Sequence, residues 1–182
     1  MPTDSINILA ISGSLRKSST NTALLHAAAN LAPSHVTVIY YEGLNDLPHF
    51  NPEIDMDNVM APVELWRSQL KAADAVLICT PEYAKGVPGV LKNALDWIVS
   101  SGEFMNKPVA VISASPTPWG GEYAHDSIVL TLTMMDAKIA EDATLTVPHI
   151  GLKLSKDGVI TDPETEQALK NVIDALIRDI ER

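Results

Sequence analysis

Three short, almost wholly apolar runs constrain the fold more than any other feature of the chain. They are INILAISG (6–13), DAVLICTP (74–81) and KPVAVISAS (107–115). A strand that is apolar on both faces is buried on both faces, which is typical of a parallel sheet covered by helices. HVTVIYY (35–41) and DAKIAEDATLTV (136–147) provide two further strands. The sequence therefore predicts a five-stranded sheet.

Helical periodicity fills the intervals between these strands. In the first helix, expected from about Thr22, apolar residues recur three and four positions apart between Leu24 and Leu31. Further helices are predicted over 59–73, 87–98, 121–135 and 163–181. Asp162 is the expected N-cap of the last helix, because Pro163 suits the first helical position.

Strands and helices alternate throughout, which predicts an α/β fold with a doubly wound parallel sheet and helices on both faces. We expect a single domain over 1–182. Such sheets bind ligands beyond the carboxyl ends of their strands, so the loops after the first, third and fourth strands should form the site. The polar segment 49–58 is expected to border that site or to lie on a subunit interface.

Composition excludes several classes of partner. A formal charge of −10 disfavours nucleic acid and anionic membrane surfaces, and no apolar run is long enough for membrane insertion. The N-terminus, MPTDSINILAISGS, lacks the cationic start and long apolar core of a signal peptide. Because Cys79 is the one cysteine, no internal disulfide is possible, and we expect a cytoplasmic location.

The first loop, SGSLRKSSTN (12–21), is crowded with hydroxyl and amide side chains and two cations. Gly13 permits a tight turn, Arg16 can form a fork to a phosphate, and the following helix offers unpaired backbone N–H groups. A phosphate monoester is the natural ligand, although an over-capped helix with solvated Arg16 and Lys17 is an open alternative. The spacing matches neither a Rossmann G-x-G-x-x-G motif nor a P-loop.

The other two loops complete the predicted site. In TPEYAKGVPGVLKNALDW (80–97), prolines stiffen the chain and Tyr83 offers an aromatic wall, while Glu82 either accepts a bond from a ligand or clamps a neighbouring loop. Both side chains can equally be ordinary loop residues. SASPTPWGGEYAHD (113–126) offers backbone amides, with Trp119 as a lid, a subunit contact or a packed anchor. A flat heterocycle that carries a phosphate fits the three loops.

With these residues, the sequence is similar to the NAD(P)H-dependent FMN reductase family, of flavodoxin-like fold. GSLRKSSTN (13–21), PEYAKGVPGVLKNALDW (81–97) and the glycine pair at 120 and 121 carry the resemblance. It implies FMN as cofactor, NADPH or NADH as donor, and small-molecule electron acceptors such as quinones, azo dyes, flavins or metal oxyanions. It also implies a homodimer or homotetramer with the flavin near the interface.

The resemblance also implies which residues hold the cofactor. The first loop would bind the FMN phosphate, Pro81 to Tyr83 would lie along the isoalloxazine, and the loop near Ser115 would close its other edge. The predicted cofactor-binding residues are Ser12, Ser14, Leu15, Arg16, Ser19, Asn21, Thr22, Pro81, Glu82, Tyr83, Ala84, Gly86, Ser115 and Gly120. The chain departs from the family's common pattern at Ala84, where Asn is usual, and at Gly86, where Ser is frequent.

Since the cofactor supplies the chemistry, we expect no catalytic side chain and ping-pong kinetics. A flavodoxin-like electron carrier is the alternative, whereas a phosphatase is disfavoured because no Arg follows Cys79 closely. Histidine spacing predicts no metal site, although His125 is a candidate for contact with substrate. Packing is the expected role of four large side chains in helical patterns, namely Trp66, Trp97, Met134 and Met135.

Overall fold

The computed structural model describes residues 5–55 and 60–181. Within these residues, five strands form one sheet and five α-helices surround it. The strands are β1 (Ile6–Ser12), β2 (Val36–Tyr41), β3 (Ala75–Thr80), β4 (Val109–Ala114) and β5 (Thr144–Val147). The helices are α1 (Thr20–Ala29), α2 (Ala61–Ala72), α3 (Gly89–Asp96), α4 (Glu122–Met134) and α5 (Pro163–Ile180).

The strand order is β2-β1-β3-β4-β5, and every neighbouring pair is parallel. The chain winds from β1 outward to β2, then crosses to the other side of β1 to form β3. The winding direction therefore reverses between β1 and β3, and a crevice opens beyond their carboxyl ends. This order confirms the predicted doubly wound, flavodoxin-like sheet.

Burial follows the apolar runs of the sequence. Every residue of β3 and of β4 is buried, because each strand has a neighbour on both sides and a helix layer on both faces. Helices α1 and α5 cover one face of the sheet, and α2, α3 and α4 cover the other. In the edge strand β2, by contrast, partly buried and exposed residues alternate up to Tyr41.

The fifth strand is much shorter than expected, and the prediction of a strand over 136–147 was wrong for most of that segment. Only Thr144–Val147 pairs with β4, apart from an isolated bridge between Lys138 and Pro108. Glu141 and Asp142 instead begin a 3-10 turn that leads into β5. Acidic residues favour such turns over a buried ladder, which explains the shortening.

Helix starts agree with the capping residues of the sequence. The Asp162 side chain accepts from the Thr165 amide at 3.1 Å, and Pro163 occupies the first turn of α5, as predicted. Helix α1 starts at Thr20, slightly earlier than expected, because Ser19 is its N-cap. Helix α3, Gly89–Asp96, is shorter at both ends than the predicted 87–98.

Packing is the role of the two helical tryptophans. Trp66 and Trp97 are fully buried, and their indole N–H groups donate to the carbonyls of Ala94 and Pro48. The same expectation was wrong for Met134, which is 60% exposed. It lies on the outward face of α4, one helical turn beyond the similarly exposed Leu130.

Part of the predicted loop 49–58 lies outside the described residues, since 56–59 are not covered. The part that is described packs on α3: the Phe50 amide donates to Asn93 Oδ1 at 2.8 Å. Asp55 Oδ1 accepts from Arg67 at 2.6 Å, and Arg67 also donates to the Trp97 carbonyl at the C-terminal end of α3. Over residues 5–55 and 60–181, no helix has the length and apolar character needed to cross a membrane.

Candidate functional site

The three predicted loops start side by side at one edge of the sheet. Ser12, the last residue of β1, is paired with Cys79, and Thr80 at the end of β3 is paired with Ser113. The Gly13 amide donates to the Cys79 carbonyl at 2.8 Å, which extends the pairing by one residue. The loops after β1, β3 and β4 therefore leave the sheet together, at the point where its winding reverses.

Gly13 determines how the first loop leaves the sheet. A Cβ atom at this position would lie 2.6 Å from Thr80 Oγ1 and 3.1 Å from a methyl of Leu91. A side chain here would force the side chains of Thr80 and Leu91 to shift. The close approach of the chain to Thr80 thus favours glycine at this position, whereas the sequence predicted Gly13 for a tight turn.

Much of the hydroxyl content of the first loop is used to fold the loop itself. The Ser14 amide donates to Ser12 Oγ at 3.3 Å, and the Arg16 amide donates to Ser14 Oγ at 3.3 Å. The hydroxyls of Ser12 and Thr22 are 2.7 Å apart, joining the end of β1 to the first turn of α1. These serine hydroxyls bond within the loop and to α1. A high serine content is therefore not in itself evidence that the loop binds an anion.

The N-terminus of α1 keeps donors available. Ser19 Oγ accepts from the Thr22 amide at 3.3 Å, whereas the amides of Thr20 and Asn21 have no acceptor within the described part of the chain. The first turn of α1 contains no acidic residue, and the side chains of Arg16 and Lys17 are exposed beside it. Open amides, a positive helix end and a guanidinium together fit a phosphate monoester.

The Asn21 side chain is committed to the protein interior. Its Nδ2 donates to the Ala114 carbonyl at 3.1 Å, and its Oδ1 accepts from Cys79 Sγ at 3.5 Å. Asn21 therefore ties α1 to the ends of β3 and β4, and only its backbone amide faces outward as a donor. Burial raises the pKa of the Cys79 thiol, which agrees with its predicted role as a buried strand residue and not a nucleophile.

The second loop contains a tight, strained turn. The amides of Tyr83 and Gly86 each donate to the carbonyl of the other, at 3.0 and 3.1 Å. The two residues between them, Ala84 and Lys85, have φ angles of 50° and 59°. Left-handed conformations at both central positions are typical of a type I′ turn, in which Asn and Gly are favoured and Ala is strained. The turn leaves the Tyr83 ring half exposed at the edge of the crevice.

Glu82 acts as a clamp, which is one of the two roles that its position in the sequence allows. Its Oε2 accepts from the amides of Tyr123 and Ala124 at 3.0 and 3.3 Å. Gly121, the N-cap of α4, has no side chain to do this, so a carboxylate from the neighbouring loop caps the helix instead. Glu82 thereby fixes the position of α4 relative to the loop after β3.

The third loop is held by its own polar groups. Ser115 Oγ and Thr117 Oγ1 are 2.7 Å apart, and Ser113 Oγ donates to the Gly120 carbonyl at 2.9 Å. Gly120 has a φ of 62°, and a Cβ there would lie 3.0 Å from the backbone nitrogens of Val147 and Pro148. The glycine therefore lets this loop pass directly over the end of β5.

Trp119 in this loop was expected to be a lid, a subunit contact or a packed anchor, and His125 in the first turns of α4 was a candidate for contact with substrate. Trp119 is 64% exposed, so it is not a packed anchor, and the lid and subunit-contact interpretations remain. The His125 side chain is largely buried, with Nδ1 3.5 Å from Asp126 Oδ1. Its Nε2 is buried and has no hydrogen-bond partner among residues 5–55 and 60–181.

In that same part of the chain, no three His, Cys, Asp or Glu side chains group as metal ligands.

An open cleft of about 920 Å³ lies between α1 and the chain segment 151–160, and no sequence pattern predicts it. Lys17, Ser18 and Thr20 line one end of the cleft, and Lys156 and Val159 line the other wall. The segment packs closely on α1, because a Cβ at Gly158 would lie 3.3 Å from the Ala23 Cβ. The residues Lys156 to Gly158 indicate a turn in the sequence, but nothing in them indicates which helix this turn contacts.

A parallel sheet of this order, with open amides at a helix N-terminus beside its switch point, is typical of mononucleotide-binding proteins of flavodoxin-like fold. The family model described as NADPH-dependent FMN reductase matches residues 6–151. The chain therefore belongs to the NADPH-dependent FMN reductase family.

Similar proteins agree with this assignment. An NAD(P)H-dependent FMN reductase of Pseudomonas aeruginosa is 31% identical over 175 residues, covering 95% of this chain and 94% of the relative. A 2-hydroxy-1,4-benzoquinone reductase of a Burkholderia species is also 31% identical, covering 96% and 97%. Among solved structures, the flavoenzyme NAD(P)H:acceptor oxidoreductase FerB of Paracoccus denitrificans superposes with a TM-score of 0.87 at 29% identity, covering 97% of both chains.

The protein is accordingly an FMN-dependent oxidoreductase with NADPH or NADH as its electron donor. This confirms the family, the fold, the cofactor and the class of activity that the sequence indicated. It also favours a reductase over an electron carrier, the alternative that the sequence left open.

Proposed function

We propose that FMN binds with its phosphate at the N-terminus of α1 and its isoalloxazine ring along the loop after β3. The open amides of Thr20 and Asn21, next to the exposed Arg16 guanidinium, are the observation that carries this placement. Further phosphate contacts come from the loop residues Ser12, Ser14, Leu15, Ser19 and Thr22. Ring contacts come from Pro81, Glu82, Tyr83, Ala84, Gly86, Ser115 and Gly120.

When bound, FMN supplies two-electron hydride chemistry, so the protein needs no nucleophile. The chain's own contribution is binding and orientation. Tyr83 provides a half-exposed aromatic wall, and the turn that carries it is rigid because both of its ends are hydrogen-bonded. Glu82 holds that turn against α4, which keeps the two walls of the crevice at a fixed separation. Donor and acceptor then use the same open face in turn, which gives ping-pong kinetics.

The acceptor class we propose is quinones, in agreement with the names of several relatives. Each turnover oxidises one NAD(P)H, and the quinone gains that hydride plus a proton from solvent to become a hydroquinone. Quinones exchange protons directly with water, so this reaction would need no acid or base side chain from the protein. Azo compounds, free flavins and metal oxyanions are further acceptors that the open crevice would admit.

We also propose that the protein is a homodimer or homotetramer in the cytoplasm, with the whole chain folded as one domain. The exposed apolar side chains of α4 and the loop before it support a second copy as the partner. Leu130 is 73% exposed, Met134 60% and Trp119 64%. Large side chains of this kind are typical of subunit interfaces. Because Trp119 belongs to a site loop, such an interface would continue into the crevice.

The test is a visible absorption spectrum of the purified protein, recorded before and after addition of FMN and then under anaerobic NADH or NADPH. A perturbed flavin band that bleaches with a nicotinamide, followed by steady NAD(P)H oxidation with a quinone, would support the proposal. An unchanged FMN spectrum and fluorescence at high micromolar protein would contradict it. Bleaching without steady turnover would instead favour an electron carrier.

A further inference from the structure

Lys85 has an unusual setting at the edge of the crevice. Its ammonium lies 4.7 Å from the centroid of the Tyr123 ring, in cation–π contact. Its backbone is in the left-handed region, with a φ of 59°, and its side chain is exposed. Lysine is not a residue that favours this conformation, so packing or function must compensate for the strain.

Two independent contacts connect this turn to the same residue of α4. The Tyr123 amide donates to the Glu82 carboxylate, while the Tyr123 ring lies under the Lys85 ammonium. The Lys85 side chain is therefore partly immobilised before any ligand arrives, which lowers the entropy cost of binding. No carboxylate within the described ranges is in salt-bridge distance of its Nζ, so the charge has no internal anionic partner there.

The charge of the whole chain makes a local cation important. A formal charge of −10 opposes the approach of anions such as a nicotinamide nucleotide, which carries a diphosphate. Arg16 and Lys17 lie at the N-terminus of α1, where the FMN phosphate is placed. Lys85 lies on the loop after β3, beside the proposed position of the isoalloxazine ring. It is thus suited to the substrate that stacks on the ring.

We propose that Lys85 is a specificity-determining residue whose ammonium binds an anionic group of the substrate over the flavin. The anion is the diphosphate of the nicotinamide nucleotide, or a sulfonate or carboxylate on the acceptor. Both sources present the same chemistry, a delocalised oxyanion that a lysine ammonium recognises in competition with the Tyr123 ring. This inference rests on the flavin placement proposed above.

The test compares Lys85→Gln with Lys85→Arg and with Lys71→Gln. Lys71 is an exposed lysine in the last turn of α2, so its replacement removes the same charge away from the crevice. We expect Lys85→Gln to raise the KM of the substrate that it binds about fivefold with little change in kcat, as for an exposed ion pair. Lys85→Arg should restore most of the affinity, and Lys71→Gln should behave like the wild type.

Two arms identify the source of the anion. One measures the KM of NADH and the dissociation constant of ADP-ribose, which reports nucleotide binding without turnover. The other compares 1,4-naphthoquinone with its 2-sulfonate as acceptors. If Lys85 binds the nucleotide, Lys85→Gln raises the KM of NADH and the dissociation constant of ADP-ribose together. If Lys85 binds the acceptor, Lys85→Gln raises the KM of the sulfonate and leaves the KM of the neutral quinone unchanged.

The FMN dissociation constant of each variant separates this inference from the function on which it depends. If the wild type fails to bind FMN, the flavin placement itself is wrong. If FMN binds and turns over normally, yet Lys85→Gln matches Lys71→Gln in both arms, the role of Lys85 is overturned. Tyr123→Leu, which keeps the backbone amide for Glu82, should give a smaller effect in the same arm as Lys85→Gln, because only the positioning ring is lost.

Discussion

Helices α1 and α4 both begin at the carboxyl edge of the sheet, yet their N-termini are chemically different. At α1, the amides of Thr20 and Asn21 are open, the first turn has no acid, and Arg16 is nearby. At α4, the Glu82 carboxylate already accepts from two first-turn amides, and Glu122 adds a second negative charge. The backbone dipole is the same in both helices, so only α1 is available to a phosphate.

A helix N-terminus can bind an anion only if the protein has left its donors free. Glu82 makes α4 a fixed wall of the crevice, while the serines of the first loop hold α1 in place without covering the amides of Thr20 and Asn21. Four variants test parts of this comparison, and their expected effects decrease in the order given.

Gly13→Ala should have the largest effect, because it disturbs the position of the α1 N-terminus. The added Cβ would meet Thr80 Oγ1 at 2.6 Å, so we expect the free energy of unfolding to fall by about 3 kcal/mol. We expect the affinity for FMN to fall as well. Urea denaturation and FMN titration measure both quantities. Gly89→Ala is the control, since a Cβ there meets nothing within 4 Å. Equal stability of the two variants would contradict the close packing described here.

Asn21→Ala separates the side chain of this residue from its amide. The Ala114 carbonyl would lose its donor, so we expect a loss of about 2 kcal/mol in the unfolding free energy of the FMN-free protein. Binding of FMN should weaken only slightly, because the amide is retained. Asn30→Ala, at the exposed end of α1, should leave both measurements unchanged. A large loss of FMN affinity at unchanged stability would instead make the side chain a direct ligand.

Glu82→Ala should open the N-terminus of α4. Loss of a helix cap costs about 1 kcal/mol, and hydrogen exchange at the amides of Tyr123 and Ala124 should accelerate. Glu82→Gln keeps an acceptor oxygen and should recover most of the stability. If exchange at the α4 amides stays slow in the alanine variant, Glu82 does not clamp the helix, and any loss of FMN binding comes from its ring contact alone.

Ala84→Asn should have the smallest effect, and in the opposite direction. Asn tolerates the left-handed conformation better than Ala, so we expect the unfolding free energy to rise by about 0.5 kcal/mol. Ala84→Val should lower it, because a β-branched side chain is strained at a φ of 50°. Thermal denaturation of the pair is sufficient, and the same sign of change in both variants would argue against strain in this turn.

The sheet and the place of the site could be predicted from the sequence because both depend on local patterns. Apolar runs identify buried strands, and the residue after each run identifies the edge at which the loops meet. The hydrogen-bond partners of individual polar side chains could not be predicted, because these partners are distant in sequence. Asn21 reaches Ala114, and Glu82 reaches Tyr123. The length of β5 was overestimated because apolar and polar residues alternate on both sides of Glu141 and Asp142, the adjacent acids at which the chain turns.

The phosphate site at the N-terminus of α1 is tested by the affinity of the protein for FMN and for riboflavin, measured with the wild type and with Arg16→Gln. If the α1 N-terminus and Arg16 hold the phosphate, the wild type binds FMN at least about tenfold more tightly than riboflavin. Arg16→Gln should then weaken the binding of FMN about tenfold and leave the binding of riboflavin unchanged. Equal wild-type affinities for the two flavins, or an equal loss of affinity for both in Arg16→Gln, would show that the phosphate does not bind at the N-terminus of α1.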